Sequence, residues 1–411
     1  MIRRRHVFFV EGYDPQGPQG YYDLFARSWK RFVGVWRCRG KLGELKLDSD
    51  LIAHWDLEAA GPNWHVATRY EFLRLERIID ANMADPIWRL LPRAIRWMLD
   101  DLFSGTTART FRASWRFGLH LLSFQALMCV WVALACAGGW LAAFAAANFA
   151  GLPFVLALAF GLAAGAAGLV LLRPLALRLH VVQIISCWPY LRELARGQAS
   201  SFEAPIDAYA ARVVAAAGAN EAGEIVVVGH SAAGVTAPAV MARALERDPD
   251  LGRRGPKVVL LTLGSVLPAA AFHPAAAKIR SAVERIATEP SVTWVDCQSR
   301  KDVMNFWDFD PVAGIGIDAG ARRCNPLVWT VRFKDMVSPE YYRRFRRSFF
   351  RLHYQFIMTG DRRAPYDYLM LVAGPVAIAD WARRSGKLLA AFSDEGAFEG
   401  ETGKQSAVAG E

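Results

Sequence analysis

A serine hydroxyl attacks carbonyl carbon well only when a base takes its proton and amide donors receive the oxyanion, so a reactive serine must stand exposed on a turn that both can reach. The segment Glu224–Gly234 has that form. It reads E-I-V-V-V-G-H-S-A-A-G, a β-branched run that ends in Gly229-His230-Ser231-Ala232-Ala233-Gly234 and leads into a helical stretch. A strand turning sharply into a helix exposes the Oγ at the turn and directs backbone N–H groups at a developing oxyanion. Ser231 is therefore the candidate nucleophile. Gly229, Ala233 and Gly234 are small for the same reason, since larger side chains would clash where strand and helix come close.

This segment resembles the G-x-S-x-G motif of the α/β-hydrolase superfamily, with Ala233 in place of the last glycine and Gly234 directly after it. In that superfamily the chain order is serine, acid, histidine. The resemblance thus implies a base C-terminal to Ser231, where only His273 and His353 follow His230. His273, in A-F-H-P straight after the next expected strand, comes too early to follow the acid. His353, in F-F-R-L-H-Y-Q-F, is the implied base. The acid belongs after the strand expected at Ser291–Asp296, in the loop running to Asp302. Asp302 is the first choice to hold the imidazole in the right tautomer, with Asp296, Asp308 and Asp310 as alternatives. One oxyanion donor would be the Ala232 amide. The other, by resemblance, is the amide of Gly12 or Tyr13, in the loop E-G-Y-D-P-Q-G-P-Q-G-Y-Y after the first strand. The implied activity is cleavage of a carboxylic ester or thioester of a lipophilic substrate through an acyl-enzyme, with no metal or organic cofactor. Acyl transfer to an acceptor alcohol on the same fold, or a non-catalytic scaffold, are the alternatives.

The elements that must position these residues are a buried strand at His6–Val10, a helix near Tyr22–Val35, a strand near Leu51–Leu57 and a helix at Ala204–Ala217. After the serine come a helix at Val235–Arg247 and a strand at Lys257–Leu263. This strand, helix, strand rhythm predicts an α/β fold, a mostly parallel sheet of the hydrolase type with flanking helices.

A second feature interrupts that rhythm. Phe117–Leu172 contains no Asp, Glu, Lys or Arg and breaks at Asn148–Pro153, which suits two membrane-spanning helices and a tight turn. Gly138, Gly139, Gly161, Gly165 and Gly168 would let the two helices approach closely. Arg109, Arg112 and Arg116 precede the run, Arg173 and Arg178 follow it, and no acidic residue lies between Asp101 and Glu193. Both ends are therefore expected in the cytoplasm. Upstream, Asp85–Phe103 carries Ile87, Leu91, Ile95, Met98 and Leu102 at helical spacing and Arg89, Arg93 and Arg96 on another face. Such a helix suits a membrane interface or the cover of a domain core. No cleavable signal is expected after Met1-Ile2-Arg3-Arg4-Arg5, because the apolar run that follows is short. The expected organisation is residues 1–116 as the N-terminal part of the hydrolase domain, 117–172 as the transmembrane hairpin, 173–392 as the catalytic core and 393–411 as a disordered tail.

Composition agrees with a membrane protein. The 411 residues are 53% hydrophobic and carry a net charge of +10, which favours an anionic lipid surface. The expected partners are the bilayer and a lipophilic ester or thioester. The arginine-rich aromatic run Tyr341–Phe356 reads as a surface on lipid headgroups, and no nucleic acid is expected. The six cysteines show no CxxC spacing and read as reduced thiols. Richness in alanine and arginine points to a GC-rich bacterial source, hence an inner membrane.

Overall fold

The computed structural model describes residues 1–400. The chain opens with β1 (Arg4–Val10), α1 (Gly17–Trp36), β2 (Arg39–Leu42), β3 (Lys46–Leu47), β4 (Ile52–Ala60) and β5 (His65–Leu73). A long helical stretch follows as α2 (Glu76–Ala84), α3 (Ile87–Phe103), α4 (Thr106–Ala113), α5 (Trp115–Asn148), α6 (Phe154–Leu171), α7 (Arg173–Arg178), α8 (Val181–Ala195) and α9 (Ser200–Ala219). Strand and helix then alternate through β6 (Glu224–His230), α10 (Ala233–Arg247), β7 (Lys257–Leu263), α11 (Leu267–Ala271), α12 (Ala277–Ala287), β8 (Val292–Gln298) and β9 (Leu327–Thr330). Short helices complete the described chain. Two compact units result, one formed by Met1–Arg77 with the chain from Leu194 on, the other by Ile78–Glu193. The expected hairpin, 117–172, lies inside the second.

The first unit is built on one sheet in the order β2-β4-β5-β1-β6-β7-β8-β9, with β3 also paired to β4. The sheet is mixed: β5, β1, β6, β7, β8 and β9 run parallel, whereas β4 is antiparallel to β5, β2 and β3. The parallel strands follow the expected rhythm, and the antiparallel edge beyond β5 is the part the sequence did not announce. Only Gly61 to Trp64 separate β4 from β5, too short a link for a crossover, so the pair must close as a hairpin. The central strands are continuous apolar runs because helices cover both faces, and every residue of β6 is buried.

At the N-terminal ends of β1 and β6, Arg5 and Glu224 are register partners and form a fully buried ion pair, Nε to Oε2 at 2.8 Å. Arg5 also donates to the carbonyls of Gly374 and Val376, and Glu224 Oε1 accepts from the Ile378 amide. The pair thereby fastens the C-terminal segment to the sheet. Further along, Ser393–Gly400 departs from the expected disorder. Trp64 Nε1 donates to the Gly396 carbonyl, Asn63 bonds Phe398 in both directions, and Phe392 bridges to Phe398. Aromatic packing and backbone bonds supply what the polar composition of the tail conceals; residues 401–411 lie outside the described residues.

In the second unit, α5 and α6 are long and apolar enough to cross a membrane. They pack through small residues: a Cβ on Gly139 would stand 2.6 Å from the Gly161 carbonyl oxygen, and one on Gly165 would stand 3.3 Å from that of Ala135. Gly138 meets nothing within 4 Å and takes no part in this contact. Ion pairs within this unit join the buried Arg192 to Asp101 and Arg93 to Glu193. All six cysteines of the chain are free.

Candidate active site

Because β1 and β6 are adjacent and parallel, with Val10 opposite Gly229, the loops leaving their C-terminal ends stand side by side. Ligands of open α/β sheets collect at such an edge. The loop after β6 is the turn into α10. Ser231 sits there at φ +61, a left-handed backbone that costs a serine about 1–2 kcal/mol. Its surroundings hold it there. The Ser231 amide donates to the Leu263 carbonyl at 3.0 Å, and its own carbonyl accepts from Gly234 at 3.0 Å and Val266 at 3.3 Å. A Cβ on Gly229 would stand 2.6 Å from the Ala233 carbonyl, and one on Gly234 would collide with Ser265. Those two glycines are steric requirements of the turn. Ala233, fully buried as the first residue of α10, fits without a clash of that kind.

The loop after β1 comes close as well. A Cβ on Gly12 would stand 3.0 Å from the His230 carbonyl oxygen and 3.7 Å from Ser231 Cβ. Gly12 thus lies next to the serine, and Tyr13, which follows it in the chain, is buried. The Gly12 amide acts on the hydroxyl of Tyr21, whose pKa is pushed well up by burial and by the charges of Asp14 and Glu11. The Ala232 amide, at the N-terminal end of the 15-residue α10, donates to no protein acceptor among the described residues. A helix N-terminus favours negative charge there.

His353 ends the short helix Phe349–His353 and is buried. Its Nδ1 lies 2.7 Å from Asp302 Oδ2. An ionised carboxylate only accepts, so in the neutral imidazole Nδ1 carries the proton and Nε2 the lone pair. Nε2 is buried with no partner among the described residues. The imidazole rests on the turn after β7: its Cε1 is 3.1 Å from where a Gly264 Cβ would stand, and Gly264 follows the residue whose carbonyl holds the Ser231 amide. The two residues expected as base and acid are therefore in contact, and both the imidazole and Ser231 border the Leu263–Gly264 turn. Ser231 Oγ makes no hydrogen bond to His353. Such bonds are often open in unliganded sites.

Asp302 is buried, and its second oxygen accepts from the Met304 amide at 2.9 Å. Asn305 staples this loop, donating to the carbonyls of Ser299 and Asp302 and accepting from the Ser299 amide. The competing aspartates are engaged elsewhere. Asp296 is bonded to Thr262 and Gln298, and burial raises its pKa. Asp310 forms a two-armed pair with Arg323 at 2.7 and 2.8 Å, and Asp308 is exposed. His273 is buried with Nδ1 accepting from the Ala275 amide, a local turn bond. No family model, curated protein or solved structure matches this chain.

Two contributors escaped the sequence reading. His230, read only as part of the turn motif, is buried with its ring 4.5 Å from that of His353, and its Nε2 donates to the His353 carbonyl at 3.2 Å. Burial, then the neighbouring His353, holds its pKa well below the usual range, so it is neutral. The other is Glu11, at the start of the loop after β1. Its Oε2 accepts from the Leu75 amide, and burial, with Glu76 and Asp14 nearby, raises its pKa well above the carboxylate range. No local pattern marks either residue, because strand pairing and chain crossing create both environments. A groove of about 600 Å³ between α9, α10 and α12 lies apart from the serine, which does not line it. Among the described residues no group of three or more His, Cys, Asp or Glu is disposed to hold a metal ion.

Proposed function

We propose that this protein is a membrane-integrated serine hydrolase of the α/β-hydrolase type, cleaving a carboxylic ester or thioester of a lipophilic substrate. One observation carries the proposal: a serine held at positive φ on a strand-to-helix turn, and, bordering the same Leu263–Gly264 turn, a histidine whose Nδ1 is taken by a buried aspartate and whose Nε2 has no partner among the described residues. Ser231 Oγ attacks the acyl carbon and His353 Nε2 takes its proton. Asp302 keeps the proton on Nδ1 and stabilises the imidazolium. The tetrahedral oxyanion forms against the Ala232 amide and that of Tyr13 or Gly12, each donor worth about 3–4 kcal/mol. Collapse expels the alkoxide or thiolate, which leaves with the proton from His353. A water molecule then attacks the acyl-serine by the same steps, and the proton returns to Ser231.

The apolar hairpin and the arginines at its ends support an inner-membrane location with the catalytic unit and both termini in the cytoplasm. A lipophilic substrate follows from that location, since the bilayer concentrates such molecules. A fluorophosphonate probe tests the chemistry. It should label the wild-type protein in membranes and leave Ser231→Ala unlabelled; equal labelling of both would refute the proposal.

A further inference from the structure

α3 is apolar on two faces. Ile87, Leu90, Leu91, Ala94 and Trp97 are buried. Trp88 and Phe103 are 73% and 83% exposed, and Ile95, Leu99 and Leu102 are exposed between them. At 3.6 residues per turn these five fall within one arc of roughly 100°, which adjoins the buried set. Arg89 and Arg96, both exposed, border that arc. A continuous stripe of this size marks an interaction surface.

The position of α3 along α5 says what covers the stripe. Ala94 and Met98 of α3 line a small cavity together with Leu121, Phe124 and Met128 of α5. A hydrocarbon core takes about 20 helical residues. Counted back from Asn148, where α5 ends, that length reaches the neighbourhood of Met128. α3 thus packs on the part of α5 that leaves the hydrocarbon and enters the headgroup layer. The charges agree with this level. Arg112 on α4, Arg116 at the start of α5 and Arg178 on α7 accompany Arg89 and Arg96, while Asp101 is turned inward to Arg192 and Trp188. Exposed Leu175 and Leu179 continue the apolar band around α7.

We infer that α3 lies in the bilayer interface, with the Trp88–Phe103 stripe at the acyl-chain boundary and Arg89 and Arg96 at the phosphates of anionic lipids. The inference rests on reading α5 and α6 as a membrane hairpin. The second unit is then held by an interfacial helix as well as by its spans, and an anionic leaflet fixes the level at which it sits.

Spin labelling of the full chain tests this. With the native cysteines replaced, a single nitroxide is placed at Leu99, at Leu162 on α6 or at the exposed Glu221, and each protein is reconstituted into phosphatidylcholine vesicles with and without phosphatidylglycerol. The Leu99 label should be open to oxygen and severalfold less open to a water-soluble nickel chelate than the Glu221 label, at a shallower depth than the Leu162 label. Removing phosphatidylglycerol, or substituting Arg89→Gln with Arg96→Gln, should shift it toward water. Nickel access at Leu99 equal to that at Glu221 overturns the inference, as does shielding from both reagents, which would mean a protein partner. Indifference to phosphatidylglycerol overturns the role of the two arginines. Nickel access at Leu162 overturns the hairpin reading itself, and the inference with it.

Discussion

Replacing Asp302 with asparagine tests the site without changing its shape. Asp302 Oδ2 accepts from His353 Nδ1 at 2.7 Å, and Oδ1 accepts from the Met304 amide at 2.9 Å. Asparagine has one oxygen. The Met304 amide is fixed in the backbone and needs an acceptor, so the asparagine carbonyl turns to it and the NH2 group faces His353. Nδ1 must then accept, which moves the imidazole proton to Nε2, where Ser231 needs a base. A tautomer reversal of this kind lowers kcat about 10⁴-fold, equivalent to about 5.5 kcal/mol of barrier. The assay is hydrolysis of a chromogenic medium-chain ester by the purified protein in detergent, beside the rate of fluorophosphonate labelling. Both rates should fall together, while Asp310→Asn and Asp308→Asn stay within about tenfold of wild type. An Asp302→Asn protein that keeps its melting temperature and hydrolyses within tenfold of wild type would refute the assignment of Asp302 and the tautomer reasoning with it.

Two other expectations concern stability and a third the packing of the hairpin. Glu224→Gln leaves the Ile378 amide with an acceptor but turns an NH2 toward Arg5, stranding a buried guanidinium; the loss should be about 3–5 kcal/mol by denaturant titration, and less than 1 kcal/mol would contradict it. Asp367, fully buried, has its pKa raised to about 6 from 3.8, because burial outweighs bonds from Trp36, Thr359 and two backbone amides. The folded state thus holds this proton more tightly, and the wild type's stability relative to Asp367→Asn should be greatest below about pH 4. It should fall as pH rises through about 6, by up to about 3 kcal/mol, and a flat difference curve would contradict the assignment. Gly139→Ile would drive a side chain into the Gly161 backbone, so crosslinking between cysteines placed on α5 and α6 should drop sharply without loss of ester hydrolysis by the first unit.

The legible parts of this chain were those with local causes. The turn at Ser231 shows in the sequence because left-handed backbone and close strand–helix approach demand small neighbours at fixed offsets, and the hairpin shows because some fifty residues without charge leave few other readings. Asp302 and His353, 51 residues apart, are in contact. Missed features depend on pairing at a distance. The strand β5 carries Arg69 and Glu71 in mid-strand, which conceals it. Glu71 nonetheless sits buried in the sheet, because bonds from His6 and Arg212 outweigh burial and hold its pKa at about 2. Likewise Arg5 looks like one more charge in a basic N-terminus until Glu224, 219 residues away, becomes its register partner.

That last pair also bears on the site. β1 and β6 are each seven residues long; Arg5 and Glu224 lock their starts, while Gly12 and Ser231 stand just past their ends. A slip of one residue between these strands would displace the Gly12 loop by about 3.3 Å relative to the serine and put every side chain of one strand on the wrong face. Amide donors placed for an oxyanion tolerate only a fraction of that error. The buried ion pair therefore does more than add stability: it specifies the register on which the approach of the two loops depends. In Glu224→Gln, hydrolysis should accordingly fall well before the protein unfolds, because a loosened register removes the second oxyanion donor while Ser231, His353 and Asp302 remain in place. Hydrolysis that tracks the folded fraction across a denaturant series would show that the strands hold their alignment without the pair.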